Sequence, residues 1–267
     1  MNQGVSELGC LDGRIERADE TFIPATDEGF LRGDGVFEVI RVYDGKPFAL
    51  AEHLDRIERS ASNLQLGWFV PRAALEEEVP WLLAERGGEE FDGILRIVLT
   101  RGGHRLLLTE PLPDTPERVR LGFVTYAPTH VLDGVKSLSY AANMLASRLA
   151  RERGFDEALL VTPHGRVLEA PTSTVFWVGD DGVLCTPPLD DHILASITRD
   201  KLMGLVGAEE RALPQEELLA AREVFLASTV REVQSVAAVE DKEFPESGEV
   251  TRKAAAAFRA HVESELS

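Results

Sequence analysis

One lysine of this chain is placed where it could act as a nucleophile. Lys136 follows an apolar valine and precedes a stretch with helical spacing. Apolar residues recur there three or four positions apart and predict a buried helix face: Leu138, Ala142, Leu145 and Leu149. A lysine in apolar surroundings loses hydration, so its pKa falls and its neutral amine can attack a carbonyl carbon. The same pattern also fits a lysine whose stem packs while its ammonium reaches water, and this stretch alone favours that second interpretation.

Polar groups elsewhere in the chain could act with this lysine. Glu169 is a single carboxylate in an apolar run, where burial is costly without a cationic partner. Thr198 lies at a predicted helix N-terminus, whose free N–H groups favour an anion. Ser228 and Thr229 end a predicted strand, and Arg56 flanks a predicted buried helix face. Each also has an ordinary structural interpretation as a cap, a strand end or a solvated charge.

Composition excludes several classes of function. The chain has 267 residues, 44% of them hydrophobic and 28% charged, as in a globular protein with a substantial core. Its formal net charge of −18 argues against nucleic acid or an anionic membrane as a partner, but not against a small anion at a local positive site. Cys10 and Cys185 are isolated, so no disulfide framework and no metal site is predicted. Without a long apolar run or signal peptide, we expect a cytoplasmic protein.

The pattern of elements predicts an α+β, or mixed α/β, fold in two unequal halves. Strands are predicted at 36–43, 47–50, 93–100, 119–126, 157–161, 174–178, 183–186 and 223–227, and helices at 52–64, 72–86, 198–206 and 252–263. Pro80 is expected to interrupt the second helix, and a proline-containing loop is expected from Arg101 to the strand at 119. A linker at 127–130 predicts a small N-terminal domain of residues 1–126 and a larger C-terminal domain of residues 131–267.

Taken together, the segments resemble the class IV, or fold type IV, pyridoxal-phosphate (PLP) enzymes. This family includes branched-chain and D-amino-acid aminotransferases and aminodeoxychorismate lyase. The matching motifs occur in the family's order over most of the chain: Arg32-Gly33-Asp34-Gly35-Val36-Phe37-Glu38, His53-Leu54-Asp55-Arg56, Lys136-Ser137-Leu138, Asp156-Glu157-Ala158-Leu159, Val167-Leu168-Glu169, Ile197-Thr198-Arg199, and Glu223-Val224-Phe225-Leu226 with Ser228-Thr229. The resemblance implies a small N-terminal α/β domain, a larger C-terminal PLP-binding domain and a homodimer.

The resemblance also implies a role for each residue. Lys136 would form a Schiff base with PLP and then move the proton, and Glu169 would keep the pyridine nitrogen protonated. The phosphate would be held by Arg56, Ile197, Thr198 and Thr229, and the ring would be lined by Thr172, Ser173, Leu194 and Ser228. Tyr140 lies near the place of the family's tyrosine that supports the ring hydroxyl. The family often has Asn or a Gly-rich run where this chain has Pro171-Thr172-Ser173-Thr174.

Substrate recognition is the weaker part of the resemblance. The loop Arg101-Gly102-Gly103-His104-Arg105 does not reproduce the carboxylate-binding Arg–His pattern of the D-amino-acid enzymes. Phe37 and Arg41 share a strand face, and Arg41 resembles a position near the substrate in branched-chain enzymes. That face favours a transaminase acting between a small amino acid or amine and a 2-oxo acid. The alternative is aminodeoxychorismate lyase, which would release pyruvate and p-aminobenzoate with the same lysine and glutamate.

Overall fold

Two compact units divide the chain. A computed structural model describes residues 7–68, 71–246 and 248–267. Unit 1 comprises Met1–Pro113, Gly134–Tyr140 and Leu266–Leu266, and unit 2 comprises Asp114–Asp133, Ala141–Glu265 and Ser267–Ser267. By this grouping the segment that carries Lys136 belongs with the N-terminal part of the chain. The domain ranges 1–126 and 131–267 stay a prediction.

Unit 1 is built on an antiparallel sheet. Its elements are β1 (Leu8–Leu11), β2 (Arg14–Arg17), α1 (Glu28–Arg32), β3 (Gly35–Tyr43), β4 (Lys46–Pro47), α2 (Leu50–Asn63), α3 (Arg72–Arg86), β5 (Gly93–Thr100) and β6 (Arg105–Glu110). Among the described residues the strand order is β2-β1-β6-β5-β3-β4. The central pair β3 and β5 is in register from Gly35 opposite Thr100 to Val42 opposite Gly93.

The alternation of side chains along β3 separates two faces of this sheet. Val36, Ile40 and Val42 pack into a core with the apolar residues of α2 and α3. Phe37 and Arg41 point to the opposite face by the same alternation. The sequence predicts a buried helix face of Leu54, Ile57, Ala61 and Leu64. The first three are buried in this core, whereas Leu64 is partly buried and follows the last residue of α2.

Two expectations for unit 1 are wrong. Pro80 lies inside α3, which runs without a break from Arg72 to Arg86. A proline removes one helical hydrogen bond, and the buried neighbours Val79, Leu82 and Leu83 anchor the helix on both sides of it. The expected loop after Arg101 contains β6, which pairs with β5 and β1.

The segment Gly134–Tyr140 lies alongside the start of β3 within unit 1. The amide of Phe37 donates to the carbonyl of Lys136 at 3.0 Å, and the amide of Leu138 donates to the carbonyl of Gly35 at 2.9 Å. The amide of Lys136 donates to Ser60 Oγ at 3.1 Å. Three hydrogen bonds therefore fix the backbone around Lys136.

Unit 2 contains a larger mixed sheet. Its elements are β7 (Arg118–Thr125), α4 (Ala141–Glu152), β8 (Glu157–Val161), β9 (Arg166–Val167), β10 (Thr174–Val178), β11 (Leu184–Thr186), α5 (Ile197–Val206), β12 (Glu209–Glu210), β13 (Leu213–Pro214), α6 (Gln215–Ala220), β14 (Glu223–Ser228), β15 (Glu232–Val239), β16 (Lys242–Glu243) and α7 (Glu249–Leu266). Within the described part of the chain the strand order is β12-β11-β10-β14-β15-β7-β8-β9-β13, with β16 on β15. β15 was not predicted from the sequence, because its Gln, Ser and Ala residues weaken the strand pattern.

The buried face of α4 differs from the predicted one. Leu138 precedes the helix, and Leu145 and Leu149 are 50% and 41% exposed. The buried residues are Ala146, Ser147 and Ala150. Their small side chains let the helix lie close to β8, which it contacts. The prediction that the leucines of this helix form its buried face is therefore wrong.

Two general features of the described residues bear on function. No helix among them is long and apolar enough to cross a membrane. No group of three or more His, Cys, Asp or Glu residues in the same ranges is arranged to hold a metal ion.

Candidate functional site

Lys136 lies over two aromatic rings of unit 1. Its Nζ is 4.4 Å from the centre of the Phe37 ring and 5.8 Å from the centre of the Tyr140 ring. The two rings meet edge to face, with centres 5.3 Å apart and planes at 85°. The face of an aromatic ring attracts a cation. The structure thus brings together three of the predicted site residues.

A buried ion cluster lies on the other side of β3. Glu38 follows Phe37 in the strand and points toward α2, where it meets Arg56 and His53. Arg56 Nε donates to Glu38 Oε1 at 2.7 Å, and Arg56 Nη2 donates to Glu38 Oε2 at 2.6 Å. His53 Nδ1 is 2.7 Å from Glu38 Oε2. Glu38, His53 and Arg56 are 0%, 1% and 6% exposed.

The protonation states of this cluster follow from its contacts. Burial acts to raise the pKa of Glu38, but the hydrogen bonds and charges of Arg56 and then of His53 outweigh it and lower the pKa to about 2. Burial lowers the pKa of His53, and the charges of Arg56 and Lys136 add to this, while Glu38 opposes it. At neutral pH Glu38 is therefore ionised and His53 is neutral, with its Nδ1–H donating to Glu38.

Arg41 is held by contacts within unit 1. Its Nη1 donates to the carbonyls of Val42 and, at 3.1 Å, of Gly93. Its Nη2 pairs with Asp92, and the guanidinium lies 4.1 Å from the centre of the Tyr43 ring. These contacts tie the end of β3 to the start of β5, and the substrate role of Arg41 stays a prediction.

Arg96 is a residue that the sequence analysis missed. It lies in β5 directly opposite Val39 of β3, so it shares the sheet face of Phe37. Its guanidinium carbon is 5.7 Å from the centre of the Phe37 ring, and its Nη2 donates to Glu110 at 2.9 Å. The sequence did contain a signal for Arg96, because it is a single charged residue in the apolar run of β5. The same kind of pattern singled out Glu169.

Glu169 lies in unit 2 and contacts another predicted residue, Leu194. The amide of Leu194 donates to its two carboxylate oxygens at 3.3 and 3.4 Å. Burial raises the pKa of Tyr126, and the negative charge of Glu169 raises it further. Tyr126 is therefore a second neighbour of this carboxylate, one that the sequence analysis did not identify because it lies 43 positions earlier in the chain.

The predicted hydroxyl residues of unit 2 lie at the ends of neighbouring elements. Ser173 directly precedes β10, and Ser228 ends β14, which pairs with β10 so that Thr174 lies opposite Ala227. The helix α5 contacts β14 and begins at Ile197. Its N-cap is Ser196, whose hydroxyl accepts from the amide of Arg199 at 3.3 Å. The other predicted residues here differ in exposure: Thr198 is buried, Leu194, Ile197 and Thr229 are half-buried, and Thr172 is exposed.

The predicted Ser173 hydroxyl and the hydroxyl of its neighbour Thr174 have no hydrogen-bond partner in the described structure. Ser173 Oγ and Thr174 Oγ1 are buried, and neither meets a donor or an acceptor among the described residues. An unsatisfied buried polar group costs about 1–3 kcal/mol. Such groups are expected where a ligand or an ordered water completes the structure.

Comparison with known proteins decides the family. The family model for "Amino-transferase class IV" matches residues 35–239. The chain belongs to the class IV aminotransferases. The match begins at the first residue of β3 and ends at the last residue of β15, so it includes every motif segment of both units except the Arg32–Asp34 start of the first one.

Individual relatives of this class IV aminotransferase cover nearly the whole chain. A D-alanine aminotransferase of Bacillus licheniformis is 31% identical over 251 residues, which is 86% of this chain and 87% of the relative. A fold IV transaminase of Curtobacterium pusillum superposes with a TM-score of 0.85 at 30% identity, covering 97% of this chain and 99% of that one. A branched-chain aminotransferase of Thermoproteus uzoniensis, solved with norvaline, gives a TM-score of 0.87 at 28% identity, covering 97% and 95%. These similarities confirm the expected fold type and the aminotransferase class.

The residues of this aminotransferase fit PLP, the cofactor on which its family depends. A cofactor with an anionic phosphate and a basic ring nitrogen needs cationic or hydroxyl donors and a carboxylate. Taken separately, unit 1 contains a lysine and an arginine, and unit 2 contains the Glu169 carboxylate and the N-terminus of α5. The buried Ser173 hydroxyl, which has no partner among the described residues, indicates that a bound group or an ordered water completes its hydrogen bonding.

Proposed function

We propose that this class IV aminotransferase binds PLP, is attached to it through Lys136, and moves an amino group between a small amino acid or amine and a 2-oxo acid. The observation that carries the proposal is the position of Lys136. Its carbonyl accepts from the amide of Phe37 and its amide donates to Ser60, while the amide of Leu138 two residues later donates to Gly35. Its ammonium lies over the Phe37 ring. A catalytic amine must be held in this way to meet a reacting carbon repeatedly.

Lys136 has two tasks in this proposal. When bound, PLP supplies a carbonyl carbon that accepts an amine and a ring that withdraws electrons from the substrate's α-carbon. Lys136 Nζ would hold the cofactor covalently between turnovers. With its amine free, Lys136 would take the proton from the substrate's α-carbon and pass it on, as a general base and acid.

Glu169 holds a proton on the ring nitrogen in this proposal. A nearby anion stabilises a cation and so raises its pKa. The Leu194 amide, which donates to both carboxylate oxygens, keeps the Glu169 carboxylate in one orientation.

The phosphate is assigned to four residues that the family resemblance implies. Arg56 supplies charge, Thr198 and Thr229 supply hydroxyls, and Ile197 contributes the first turn of α5. A helix N-terminus favours an anion because its amides are free and its dipole is positive there. Thr172, Ser173, Leu194 and Ser228 are assigned to the ring, and Tyr140 to its hydroxyl.

We further propose that the chain acts as a cytoplasmic homodimer. Phe22 and Phe30 are 75% and 74% exposed and line one apolar pocket together with Ile23 and Leu138. A contiguous apolar surface of this kind is typical of an interaction surface. Sedimentation of the purified protein tests this, and a monomer at micromolar concentration contradicts it.

The test of the reaction is to supply an amino donor without a 2-oxo acid. The relatives act, by their names, on D-alanine and on branched-chain amino acids, so these donors come first, followed by simple amines. We expect the yellow protein to bleach after one turnover and to resume when a 2-oxo acid is added. Continuous release of pyruvate and p-aminobenzoate from aminodeoxychorismate, with no donor that bleaches the protein, would instead identify a lyase.

A further inference from the structure

We propose that Glu38, supported by His53, positions the Arg56 guanidinium for the cofactor phosphate and thereby sets the preference for a phosphorylated cofactor. This inference rests on the proposed function, in which Arg56 is a phosphate ligand. Glu38 touches neither substrate nor cofactor in this proposal, so it is a positioning residue. It was not among the residues that the sequence analysis assigned to the site.

The geometry of the pair fixes the guanidinium in one plane. Two different nitrogens of Arg56 donate to two different oxygens of Glu38, at 2.7 and 2.6 Å. A fork of two parallel charge-assisted bonds adds orientation to attraction. An arginine side chain has several rotatable bonds, and this fork removes the freedom of its last ones.

Glu38 is itself held on three sides. It belongs to the central strand β3, where it lies opposite Ile97 of β5. His53 Nδ1–H donates to the oxygen that also accepts from Arg56 Nη2. Because His53 is neutral, it orients the carboxylate without cancelling its charge. The carboxylate is fully buried, so bulk solvent does not compete for its hydrogen bonds.

The same strand positions both predicted cofactor residues of unit 1. Phe37 lies under the Lys136 ammonium on one face of β3, and Glu38 holds Arg56 on the other. Adjacent residues of a strand point to opposite faces, so the two supports move together with one backbone segment. A displacement of β3 would disturb the lysine and the arginine at once.

A purely structural ion pair would have the same appearance, and unit 1 contains one for comparison. Arg105 Nε donates to Glu78 Oε2 at 2.6 Å, and Arg105 Nη2 donates to Glu78 Oε1. Glu78 is buried as well. Neither residue is assigned to the site, so Glu78→Gln is a matched control for Glu38→Gln.

The test compares two ligands that differ only in the phosphate. Apoprotein is titrated with PLP and with pyridoxal, and the ratio of the two dissociation constants measures the contribution of the phosphate alone. We expect Glu38→Gln to lower this preference by about tenfold or more, because one charge-assisted bond and the fixed orientation are lost. Glu78→Gln should leave the ratio at the wild-type value. General damage to the fold would weaken both ligands equally and leave the ratio unchanged.

A double-mutant cycle shows whether Glu38 acts through Arg56. Arg56→Ala should abolish most of the phosphate preference, and Glu38→Gln added to it should lower the ratio no further. Arg59→Ala, an exposed arginine on the same helix, should behave as wild type. An additive loss in the double variant would overturn the proposal, since Glu38 would then act independently of Arg56.

Failure of the inference and failure of the proposed function give different results. If the wild-type apoprotein binds no PLP, the proposed function fails. If it binds PLP but Arg56→Ala keeps the full preference for PLP over pyridoxal, Arg56 is not a phosphate ligand, and the positioning inference fails while the proposed reaction stands. If Arg56→Ala loses the preference while folded Glu38→Gln keeps it, only the positioning role is overturned. Should Glu38→Gln not fold, Glu38→Asp takes its place. It keeps the charge but is one methylene shorter, so the same fall is expected, and an unchanged ratio overturns the proposal.

Discussion

The two units prepare their polar groups for a ligand in different ways. In unit 1 the buried charges of Glu38 and Arg56 already satisfy each other. In unit 2 the buried hydroxyls of Ser173 and Thr174 lack partners among the described residues. Burying a charge without a partner costs far more than burying a hydroxyl. The Arg56 guanidinium of unit 1 is therefore already fixed in the absence of a ligand. In unit 2, a ligand that hydrogen-bonds to Ser173 or Thr174 would remove the free-energy cost of burying that hydroxyl without a partner.

The largest effect is expected at Lys136. Lys136→Ala removes both the attachment point and the proton carrier, so we expect kcat to fall by about 10⁴-fold or more, roughly 5 kcal/mol of barrier at 1.36 kcal/mol per tenfold. Circular dichroism should show an intact fold. Borohydride reduction of the wild-type holoenzyme should attach the cofactor to Lys136, as identified by peptide mass. A label on Lys253, an exposed lysine on α7, or turnover at the wild-type rate would contradict the assignment.

Glu169→Gln should have a smaller effect, on rate rather than on binding. It keeps the shape and the hydrogen bond from the Leu194 amide but loses the charge that holds a proton on the ring nitrogen. We expect PLP to remain bound and kcat to fall about a hundredfold, roughly 2.7 kcal/mol. Glu152→Gln, an exposed residue of α4, is the control. An unchanged rate would make Glu169 a structural residue of unit 2.

The cluster of unit 1 should make the apoprotein sensitive to acid. The pKa of His53 is lowered from its ordinary 6.5 in the fold, so below that pH the unfolded chain binds a proton that the folded chain does not. The pKa of Glu38 is lowered from 4.5 to about 2, so the stability it contributes is lost as the pH falls from 4.5 toward 2. Because the unfolded state takes up more protons in both windows, stability should fall with pH through each of them.

Urea unfolding of the apoprotein between pH 8 and pH 3 measures this dependence. His53→Asn should flatten the curve in the window just below the ordinary pKa of histidine, at about 6.5. Glu38→Gln should flatten the more acidic window. Curves that match the wild type in both variants would show that the acid sensitivity arises outside this cluster. That result would contradict the view that the Glu38–Arg56 pair stabilises the protein before a ligand binds.

Local sequence patterns predicted part of this contrast and missed part of it for physical reasons. Lys136 and Glu169 were singled out because a single charge in an apolar run is costly wherever the chain folds. Their roles came from the family resemblance and stay predictions. Arg96 carried the same local signal, but its place on the Phe37 face depends on the β3–β5 register. The Glu38–Arg56 fork depends on the packing of α2 against β3. No local pattern contains this information. The face of α4 was misjudged because periodicity shows that a helix has an apolar stripe, but alanines such as Ala146 and Ala150 can pack closer than leucines.

The smallest expected effect tests the contrast most directly. Thr174 and Thr109 are each 1% exposed, one in each unit. Thr109 Oγ1 accepts from the amide of Leu8 at 2.9 Å, whereas Thr174 Oγ1 has no partner among the described residues. Thr109→Val should destabilise the apoprotein by about 1–3 kcal/mol, since the Leu8 amide loses its acceptor. Thr174→Val should stabilise it by about 1 kcal/mol, since an unsatisfied hydroxyl is replaced by a methyl group.

Adding PLP separates two explanations of the Thr174 result. If a bound ligand or its ordered water gives the Thr174 hydroxyl a partner, the stabilisation by Thr174→Val should shrink or reverse in the holoprotein, while the effect of Thr109→Val stays the same. Thermal unfolding of both variants with and without PLP measures this, and about 1 kcal/mol corresponds to roughly 2–4 °C for a chain of this size. If Thr174→Val destabilises the apoprotein as Thr109→Val does, then water already satisfies that hydroxyl, and unit 2 is as well prepared as unit 1.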